Sequence, residues 1–465
     1  MLNFKNKKVV VMGLGLYSEG SGISATRFLL SSGAKVTVTD LKTKEELSDQ
    51  IKRLGHLANK VNFVLGRHQE KDFKKADMII KNPAIPRNSK YLAIARRHKI
   101  PIETDISLFF KLTNRKQIIG ITGTRGKSTI TTLIYEMLML AGQKAIIGGN
   151  ITKSPLVQLS KMKNNGLAVL ELSSWLLESL EEAKLSPHLA VFTNIYPDHL
   201  NTYDDINDYA LSKANIFKWQ NRQDYVVLNL DNSFTKKMGA LVPSKRFWFS
   251  LKEFKNENGC FLKNKNIYFR IDGQEEKVLS VLDIKIPGEH NIANVLAAVC
   301  AGKIYGLKSA VIKKAVRNFS GVSNRLEFMK SVGGVKYYND TTSTMPEASL
   351  AALRALKLKR KNIILIAGGA DKGLDFHELT KEIEKSVKYL VLFGGTGTDR
   401  ILQLLKNKKM PVAVAGSMAE AVGLAKSLAK SGDTILLSPA CASFGMFKNE
   451  FDRGDQFRAI VKKLK

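Results

Sequence analysis

Residues 117–141 read QIIGITGTRGKSTITTLIYEMLMLA and place a Gly-rich turn between a short apolar strand pattern and a helix pattern. This order predicts a phosphate-binding loop, because backbone N–H groups and the helix N-terminus face the bound anion. Lys127 adds a point charge, and the Ser128 hydroxyl can bind Mg2+. The motif is the short form GxxGKS, since Ile121 stands where the full Walker spacing needs glycine.

The composition is that of an ordinary soluble protein, with 44% hydrophobic and 25% charged residues among 465. Three widely spaced cysteines, Cys260, Cys300 and Cys441, suit a reducing cytosol and predict neither a metal cluster nor a disulfide framework. The N-terminal run MLNFKNKKVVVMGLGL indicates a first strand rather than a signal peptide. No run reaches the ~18 apolar residues of a membrane span. We therefore expect a cytoplasmic protein with no integral membrane segment.

The net charge is +31, from 73 Lys and Arg against 42 Asp and Glu. Such a charge is compatible with nucleic-acid or anionic-membrane binding. The lysines are spread along the chain and no basic module with interleaved aromatic residues is present, which favours a solvated surface and no nucleic-acid partner. A basic nucleic-acid-binding ATPase stays as an alternative, and it would show nucleic-acid-stimulated ATP hydrolysis with a steep salt dependence.

Strand and helix patterns divide the chain into three α/β units with parallel sheets, at residues 1–115, 116–322 and 323–465. The first unit has a Gly-rich turn, GLGLYSEGSG, in which Ser18 stands where the third glycine of GxGxxG is required. In the second unit the short runs RFWFS, CFLK, IYFRI, KVLSV and IKIPG predict an antiparallel subsheet. The third unit again has the alternation of a Rossmann-like domain.

Polar residues follow several of the predicted strands, at the sheet edge where α/β proteins bind ligands. Glu171 and the pair Asp198-His199 do so in the second unit, and a carboxylate with Ser128 would suffice for Mg2+. Asn291 and Asn294 share one helix face, which capping explains for one of them and adenine recognition for both. Lys213 by itself is typical of a solvated helix lysine. In the third unit Arg325, Asp340, Lys372 and Ser443 follow strands or lie in tight turns, and the two cations suit a site for phosphate and carboxylate.

Taken together, these motifs resemble the Mur ligase family of ATP-dependent, amide-forming ligases. GTRGKST, ELSSWLLE, PDHLNTY, YALSKANIF, PGEHNIANVLAA and NRLEF follow in the family's order. GGADKGLDF, SPACASFGMFKNEFDRGDQF and the first Gly turn with Asp40 are similar to its glutamate-adding branch. The resemblance implies a three-domain α/β fold. An N-terminal Rossmann-like domain would bind a UDP-linked substrate, a central P-loop ATPase domain with a small antiparallel subsheet would bind ATP, and a C-terminal Rossmann-like domain would bind the amino acid.

The resemblance also implies residue roles. The residues that would contact ATP are Gly123, Thr124, Arg125, Gly126, Lys127, Ser128, Thr129, Asn291, Arg325 and Asp340. Those implied for the UDP-linked substrate are Gly15, Leu16, Asp40, Asn82, Pro83, Ala84 and Asn150. Those implied for the amino acid are Thr344, Lys372, Ser443 and Phe444. The implied metal ligands are Ser128, Glu171, His199 and Lys213, and the implied catalytic groups are Lys127, His199, Lys213 and Arg325.

The implied reaction is ATP-dependent addition of D-glutamate to UDP-N-acetylmuramoyl-L-alanine through an acyl phosphate, in the cytoplasmic synthesis of peptidoglycan precursors. Cell-wall growth, cell shape and division would depend on it. The implied cofactors are ATP and two Mg2+ ions, and Lys213 would be N-carboxylated. We expect a monomer.

Several positions depart from the family pattern. Arg125 stands where the family has asparagine, and the family's DSKATN reads Asp340-Thr-Thr342-Ser-Thr344-Met, which removes a lysine. Gly445 and Glu450 replace an aspartate and an aromatic residue. A paralogue that adds L-glutamate to the same nucleotide therefore stays open. A folylpolyglutamate-type ligase is disfavoured because that group lacks the N-terminal unit. The DNP[RK] motif of diaminopimelate-adding relatives is absent from the sequence.

Overall fold

The computed structural model describes residues 2–15, 19–86, 88–150, 153–162, 165–198, 202–371, 373–405 and 410–464. Three predicted site residues, Leu16, His199 and Lys372, lie outside these ranges. The chain divides into two compact units, Met1–Asp283 with Ile292–Arg317, and Ile284–Asn291 with Asn318–Lys465. Among the described residues no helix has both the length and the apolar character needed to cross a membrane.

The first unit contains two sheets, of which the N-terminal one is entirely parallel. Its strands are β1 (Lys8–Met12), β2 (Lys35–Asp40), β3 (Val61–Leu65), β4 (Met78–Lys81) and β5 (Ile102–Glu103), in the spatial order β3-β2-β1-β4-β5. The associated helices are α1 (Ser21–Ser31), α2 (Ser48–Leu54), α3 (Glu70–Lys75), α4 (Lys90–Arg97) and α5 (Asp105–Leu112). Strands β1 to β4 correspond to the apolar runs KKVVVMG, AKVTVTD, NFVLG and ADMIIKN.

The second sheet of this unit has nine strands. They are β6 (Ile118–Thr122), β7 (Ala145–Gly149), β8 (Leu167–Glu171), β9 (Leu189–Phe192), β10 (Tyr225–Asn229), β11 (Lys245–Ser250), β12 (Gly259–Lys263), β13 (Asn266–Ile271) and β14 (Gln274–Ser280). Their order is β14-β13-β12-β11-β10-β9-β6-β8-β7. The helices are α6 (Lys127–Leu140), α7 (Ser174–Glu182), α8 (Ile206–Lys218), α9 (Ser233–Met238), α10 (Glu289–Ile304) and α11 (Ser309–Asn318). Short 3-10 helices occur at Gly55–Lys60, Arg115–Gln117, Pro155–Met162, Gly239–Leu241 and Val281–Asp283.

The predicted antiparallel subsheet is only partly correct. The strand RFWFS (β11) pairs in parallel with both β10 and β12, and only β12, β13 and β14 pair antiparallel. Residues 247–250 are buried one after another rather than alternately, which is typical of a strand covered on both faces. The predicted strand IKIPG is wrong, because residues 284–288 have no regular structure. Pro287 cannot donate a ladder hydrogen bond, and Gly288 has a φ of +100°.

The second unit is built on one six-stranded sheet. Its strands are β15 (Glu327–Val332), β16 (Val335–Asn339), β17 (Ile363–Gly368), β18 (Val387–Phe393), β19 (Val412–Ala415) and β20 (Thr434–Leu437), in the order β15-β16-β20-β17-β18-β19. Only β15 and β16 pair antiparallel. The helices are α12 (Pro346–Leu356), α13 (His377–Ser386), α14 (Thr396–Leu404), α15 (Met418–Leu428) and α16 (Glu450–Lys463). The sequence does not predict the polar edge strand β15, because this strand lacks a buried face.

All three cysteines are buried and unlinked by disulfides. Cys260 in β12 nevertheless lies within hydrogen-bonding range of Cys300 in α10, although they are far apart in sequence. Burial raises the pKa of the Cys260 thiol, which keeps it protonated. The two thiols are therefore small core side chains in this structure.

Gly22 takes the role of the third glycine that the first Gly-rich turn lacks at Ser18. A Cβ on Gly22 would lie under 3.0 Å from the carbonyl oxygens of Gly13 and Leu14, a separation that Cβ atoms do not adopt. The start of α1 therefore packs directly on the backbone that follows β1. The insertion between Gly15 and Gly22 lengthens the turn but keeps the close helix–strand contact that the dinucleotide-binding pattern uses.

We expect Gly22→Ala to destabilise the protein by about 1–3 kcal/mol, since the added methyl group meets backbone atoms that cannot rotate away. Gly423→Ala is the matched control, because Gly423 also lies in a helix and has nothing within 4 Å of the position that its added methyl group would take. Thermal unfolding followed by circular dichroism should show a lower midpoint for the first variant and an unchanged or higher one for the second. Equal midpoints would contradict the close-packing role.

Candidate active site

The phosphate loop joins β6 to α6 and depends on two glycines. Gly123 has a φ of +138° and Gly126 a φ of +86°, conformations that favour glycine. A Cβ on Gly123 would collide with the Thr193 hydroxyl, and one on Gly126 with the Asn294 amide oxygen. The loop therefore lies directly against α10 on one side and the segment after β9 on the other.

The first half of this loop is hydrogen-bonded to the segment after β9. The backbone N–H of Thr124 donates to the Asn194 carbonyl at 2.9 Å, and that of Arg125 donates to Asn194 Oδ1 at 2.9 Å. The Thr193 hydroxyl donates to the Arg125 carbonyl at 2.6 Å. These N–H groups are thus engaged by protein, whereas the first turn of α6 supplies N–H groups that have no intrahelical acceptor and can bind phosphate.

Lys127 begins α6, and its side chain folds back over the loop. Its Nζ donates to the carbonyl oxygens of Gly123 at 2.9 Å and Thr124 at 3.0 Å. The ammonium group is thereby held above the turn in which a phosphate-binding loop places its anion. The phosphate-binding role that the motif predicts for Lys127 stays a prediction.

Ser128, Glu171 and Asn150 form a compact polar cluster at the ends of β7 and β8. Ser128 Oγ donates to Glu171 Oε2 at 2.6 Å, and Asn150 Nδ2 donates to Glu171 Oε1 at 3.2 Å. Glu171 is only 1% exposed. Hydroxyl and carboxylate oxygens are the ligands that Mg2+ prefers, so this donor set fits the magnesium requirement of the family that the motifs resemble. The structure brings Asn150, expected at the UDP-linked substrate, to the carboxylate of the predicted metal site.

Lys213, on α8, is buried with 2% exposure, so the interpretation of a solvated helix lysine is wrong. Its Nζ lies 4.6 Å from the centroid of the Tyr209 ring. Burial holds the pKa of Lys213 well below its usual value, and the charge of Lys127 lowers it further. The carboxylates of Asp198 and Glu171 act in the opposite direction. The structure therefore places a lysine with an easily deprotonated amine beside the predicted metal site.

His199 is outside the described residues, but its neighbour Asp198 is described and mostly buried. Within the described ranges, no three His, Cys, Asp or Glu side chains are grouped as a metal site. The predicted ligands are Ser128, Glu171, Lys213 and His199. Because His199 is outside the described residues, the metal site stays a prediction. Of this set, Ser128 and Glu171 are in contact and Lys213 is within electrostatic range of Glu171.

Apart from Asn150 and the undescribed Leu16, the residues predicted for the UDP-linked substrate lie at the carboxyl ends of β1, β2 and β4. Asp40 accepts hydrogen bonds from the backbone N–H groups of Leu14 at 2.9 Å and Lys42 at 3.0 Å. Asn82 Oδ1 accepts from the Ala84 N–H at 3.1 Å, which shapes the turn through Pro83. A Cβ on Gly15 would lie 3.0 Å from Asn82 Nδ2. The three chain segments therefore lie close together at the ligand-binding edge of a parallel sheet.

In the second unit, Asp340 is buried and holds the preceding loop. Its carboxylate accepts hydrogen bonds from the Leu326 N–H at 2.9 Å, the Ser438 hydroxyl at 2.7 Å and the Ser343 hydroxyl. Burial raises the pKa of Asp340 to about 6, although these hydrogen bonds and the charge of Arg325 lower it. Arg325 is exposed and directly precedes Leu326. The two residues predicted from NRLEF and YYND are therefore neighbours.

Asn291 has a local partner, since its Nδ2 donates to the Pro287 carbonyl at 2.6 Å. Asn294, in the first unit, contacts the phosphate loop instead. The shared helix face therefore serves two different contacts. The Asn291 bond is not an N-cap, because its amide donates to a carbonyl oxygen from inside α10, and adenine recognition by the two residues stays a prediction.

The amino-acid region contains one residue that the motif interpretation missed. Arg453 on α16 is fully buried, and its guanidinium donates to the Thr341 hydroxyl at 3.1 Å, the Thr341 carbonyl at 2.9 Å and the Cys441 carbonyl at 3.3 Å. Burial lowers the pKa of Arg453 to about 10, and the nearby charge of Glu450 opposes this shift. Arg453 is therefore the cation that accompanies the unusual carboxylate at Glu450. The motif FDRGDQF could have pointed to Arg453 as a site residue, but the sequence does not reveal which loops this side chain joins.

The remaining predicted amino-acid residues lie on two loops. Ser443 is buried, Phe444 is 68% exposed and Thr344 is half-buried. Thr342 occupies the position of the family lysine, and its hydroxyl donates to the Asn324 carbonyl at 2.8 Å. This side chain is thus used to fix the local backbone.

A phosphate-binding loop lies next to a buried carboxylate and a buried lysine on an α/β sheet. This arrangement is suited to an ATP-dependent amide-forming ligase. Family models match in chain order: the Mur ligase MurD-like N-terminal domain at residues 7–104, the Mur ligase middle domain at 121–302 and the Mur ligase glutamate ligase domain at 324–441. The chain belongs to the Mur ligase family and is an ATP-dependent amide-forming ligase of peptidoglycan-precursor synthesis with the three-domain architecture of that family. Mur ligases in general require magnesium.

Similar proteins extend over the whole chain. The chain is 40% identical to a UDP-N-acetylmuramoylalanine--D-glutamate ligase of Roseiflexus sp., over 99% of both chains. It is 36% identical to a ligase of the same name from Alkaliphilus metalliredigens over 100% of both, and 38% identical to one from Borreliella afzelii over 99% of this chain and 98% of the relative.

Among solved structures, MurF of Acinetobacter baumannii matches with a TM-score of 0.61 and 15% identity, covering 98% of this chain and 93% of that one. UDP-N-acetylmuramate-alanine ligase MurC of Thermotoga maritima matches with a TM-score of 0.60 and 18% identity, covering 98% and 99%. At these identities the likeness shows the fold.

The buried Asp340 predicts a pH dependence of stability. Its pKa is about 6 in the folded chain and 3.8 in the unfolded chain, so the folded chain retains the proton between these values. The stability contributed by this group is therefore present below about pH 4 and is lost as the pH rises through about 6. The total loss in the free energy of unfolding is up to about 3 kcal/mol, because each unit of pKa difference corresponds to about 1.4 kcal/mol.

Asp340→Asn should remove this loss, since an amide does not ionise. Thermal midpoints measured between pH 4 and pH 7 should fall less steeply in this variant than in the wild type. Replacement of the exposed Asp399 in the same unit, as Asp399→Asn, should leave the wild-type profile. Parallel profiles for all three proteins would show that Asp340 is not the titrating group.

Proposed function

We propose that the chain adds D-glutamate to UDP-N-acetylmuramoyl-L-alanine, as a cytoplasmic monomer with domains at 1–115, 116–322 and 323–465. The observation that carries this proposal is the full-length match to ligases of that name, at 36–40% identity. The position of Gly15, Asp40 and Asn82 at one edge of the N-terminal sheet supports a UDP-linked substrate, because α/β sheets bind nucleotides at this edge.

The proposed reaction begins with an alanyl carboxylate, which is a poor electrophile. One of its oxygens takes the γ-phosphoryl group of ATP, giving an acyl phosphate and ADP. The glutamate amine then attacks the carbonyl carbon, loses a proton, and the tetrahedral adduct expels phosphate to leave an amide. Lys127, the first turn of α6 and Arg325 bind and orient the phosphates, and they offset the negative charge that develops on the transferring group.

Two Mg2+ ions would supply further charge neutralisation at the phosphates. We assign them to Ser128, Glu171, His199 and Lys213, of which Ser128 and Glu171 already share a hydrogen bond at 2.6 Å. The oxygen donors fit a magnesium ion. An unmodified lysine does not, because a cationic ammonium group has no lone pair for a metal.

N-carboxylation of Lys213 resolves this mismatch. The neutral amine adds to CO2, forms an N–C bond and releases a proton, which leaves a carbamate anion. Only the unprotonated amine can react, and burial lowers the pKa of Lys213 so that this form is accessible. Lys127, which acts electrostatically on Lys213, would then stabilise the product anion.

For the amino acid we propose contacts from Thr344, Lys372, Ser443 and Phe444. The side chain of Thr342 cannot provide the positive charge of the family lysine, and it is bonded to backbone. Arg453 holds the Thr341 and Cys441 segments together and accompanies Glu450. This altered pocket is the observation that keeps an L-glutamate-adding enzyme as the second candidate.

Phosphate release from ATP in the presence of UDP-N-acetylmuramoyl-L-alanine should occur with D-glutamate and not with L-glutamate. Lys127→Ala should abolish it, because the ammonium above the phosphate loop is lost. Both are measured with a coupled phosphate assay and mass spectrometry of the product. Turnover with L-glutamate alone would replace the proposed acceptor, and no turnover with either would refute glutamate addition.

Lys213→Ala should lower turnover by at least about 100-fold, as expected for loss of a group that stabilises developing charge. Lys218→Ala is the control, since Lys218 lies on the same helix but is exposed. With 13C-labelled bicarbonate, the wild type should show a carbamate carbon resonance that Lys213→Ala lacks and Lys218→Ala keeps. An active wild type without this resonance would exclude the carboxylated lysine.

A further inference from the structure

Arg125 is a positive charge within the phosphate loop that the family pattern does not have, since GTNGK[ST] is the usual form and this chain has GTRGKS. Its neighbour Lys127 already provides the cation that phosphate loops share. The additional guanidinium is therefore not explained by the general motif.

The backbone of Arg125 is held on both sides of the residue. Its N–H donates to Asn194 Oδ1 at 2.9 Å, and its carbonyl accepts from the Thr193 hydroxyl at 2.6 Å and from Asn194 Nδ2 at 3.2 Å. With the main chain held in this way, only side-chain rotation can move the guanidinium. The N–H that a phosphate loop would point at its anion is also engaged at this position.

The guanidinium lies on the same side of the loop as the predicted metal site. Its Nη1 is 4.0 Å from a carboxylate oxygen of Asp198. Asp198 in turn acts electrostatically on the buried Lys213, and the charges of both Arg125 and Asp198 act on Tyr209 of α8. The side chain therefore lies on the side of the loop that faces Asp198 and Tyr209.

The ion pair with Asp198 is a weak one. A separation of 4.0 Å is at the limit for an ion pair, and the Arg125 side chain is 43% exposed. Ion pairs that are open to solvent contribute little to stability. Phosphate oxygens bind guanidinium groups more strongly and in bidentate geometry. A nucleotide triphosphate at the start of α6 can therefore attract Arg125 away from Asp198 at little cost.

We propose that Arg125 is a catalytic residue whose guanidinium leaves Asp198 and binds non-bridging oxygens of the phosphoryl group that ATP transfers. It acts as an arginine supplied in cis beside Lys127, and Asp198 holds it near the site when no nucleotide is bound. The inference rests on the ATP chemistry of the family and is independent of which amino acid is added.

The first test compares Arg125→Asn, which restores the family residue, with Arg125→Lys and with Arg222→Asn. Arg222 lies in an exposed turn of the same unit, so its replacement removes one positive charge away from the loop. We expect Arg125→Asn to lower kcat/KM for ATP by at least about 10-fold, Arg125→Lys to recover part of the loss, and Arg222→Asn to leave it unchanged. Equal kinetics for Arg125→Asn and wild type, with equal melting midpoints, would overturn the proposal.

The second test separates phosphate binding from a purely structural role of the Asp198 pair. Calorimetry with Mg2+ should show that Arg125→Asn weakens a non-hydrolysable ATP analogue by at least about 5-fold and ADP by much less, because only the analogue has the γ-phosphoryl group. The same selective loss should persist when Asp198→Asn is already present. An equal loss for ADP, or no further loss in the Asp198→Asn background, would assign Arg125 to holding its own loop and overturn the proposal.

The calorimetric measurements need no amino acid, so they remain informative if the wild type shows no D-glutamate addition. Failure of the acceptor assay with selective loss of the ATP analogue would overturn the proposed acceptor and keep the role of Arg125. Turnover with D-glutamate, together with equal binding losses for the ATP analogue and ADP, would keep the proposed acceptor and overturn the role of Arg125.

Discussion

The absence of side chains at Gly123 and Gly126 is the constraint on which the catalytic centre depends. Because no Cβ intervenes, the loop after β6 contacts Thr193 and Asn294 directly, and hydrogen bonds from Asn194 then hold Thr124 and Arg125. This contact sets where α6 begins. It thereby sets where Ser128 meets Glu171 and where the Lys127 ammonium lies. A methyl group at either glycine would separate surfaces that the remaining site requires in contact.

Four of the buried charged side chains lie in the regions where the chemistry is expected. Lys213 and Glu171 are almost fully buried in the first unit, as are Asp340 and Arg453 in the second. Each such group costs desolvation free energy, which hydrogen bonds or neighbouring charges must offset. For Asp340 and Arg453 this desolvation cost is offset by hydrogen bonds to loop backbone and hydroxyl groups, and these bonds hold the surrounding loops in place. For Lys213 the desolvation cost is offset less completely. Its pKa is therefore lowered, which makes the neutral amine accessible.

The departures from the family pattern have different physical consequences. Arg125 adds a half-exposed charge at an anchored point of the phosphate loop. Thr342 removes a charge and uses its hydroxyl to fix backbone, while Arg453 supplies a buried cation near Glu450. Each change is accommodated by groups within its own compact unit. Substitutions that alter local charge can thus coexist with an unchanged fold, because the sheets are specified by apolar runs elsewhere.

The sequence by itself determined the three sheets, the phosphate loop and the order of the site motifs, because apolar runs, glycine turns and capping residues act over a few neighbouring positions. Tertiary structure alone decided that β11 pairs in parallel, that 284–288 is not a strand and that Gly22 replaces the missing glycine at Ser18. It also decided that Lys213 is buried and that Arg453 joins two loops. These features depend on contacts between segments that are far apart in the sequence. Burial, pKa and close packing arise from such tertiary contacts, so they cannot be inferred from a residue's neighbours in the chain.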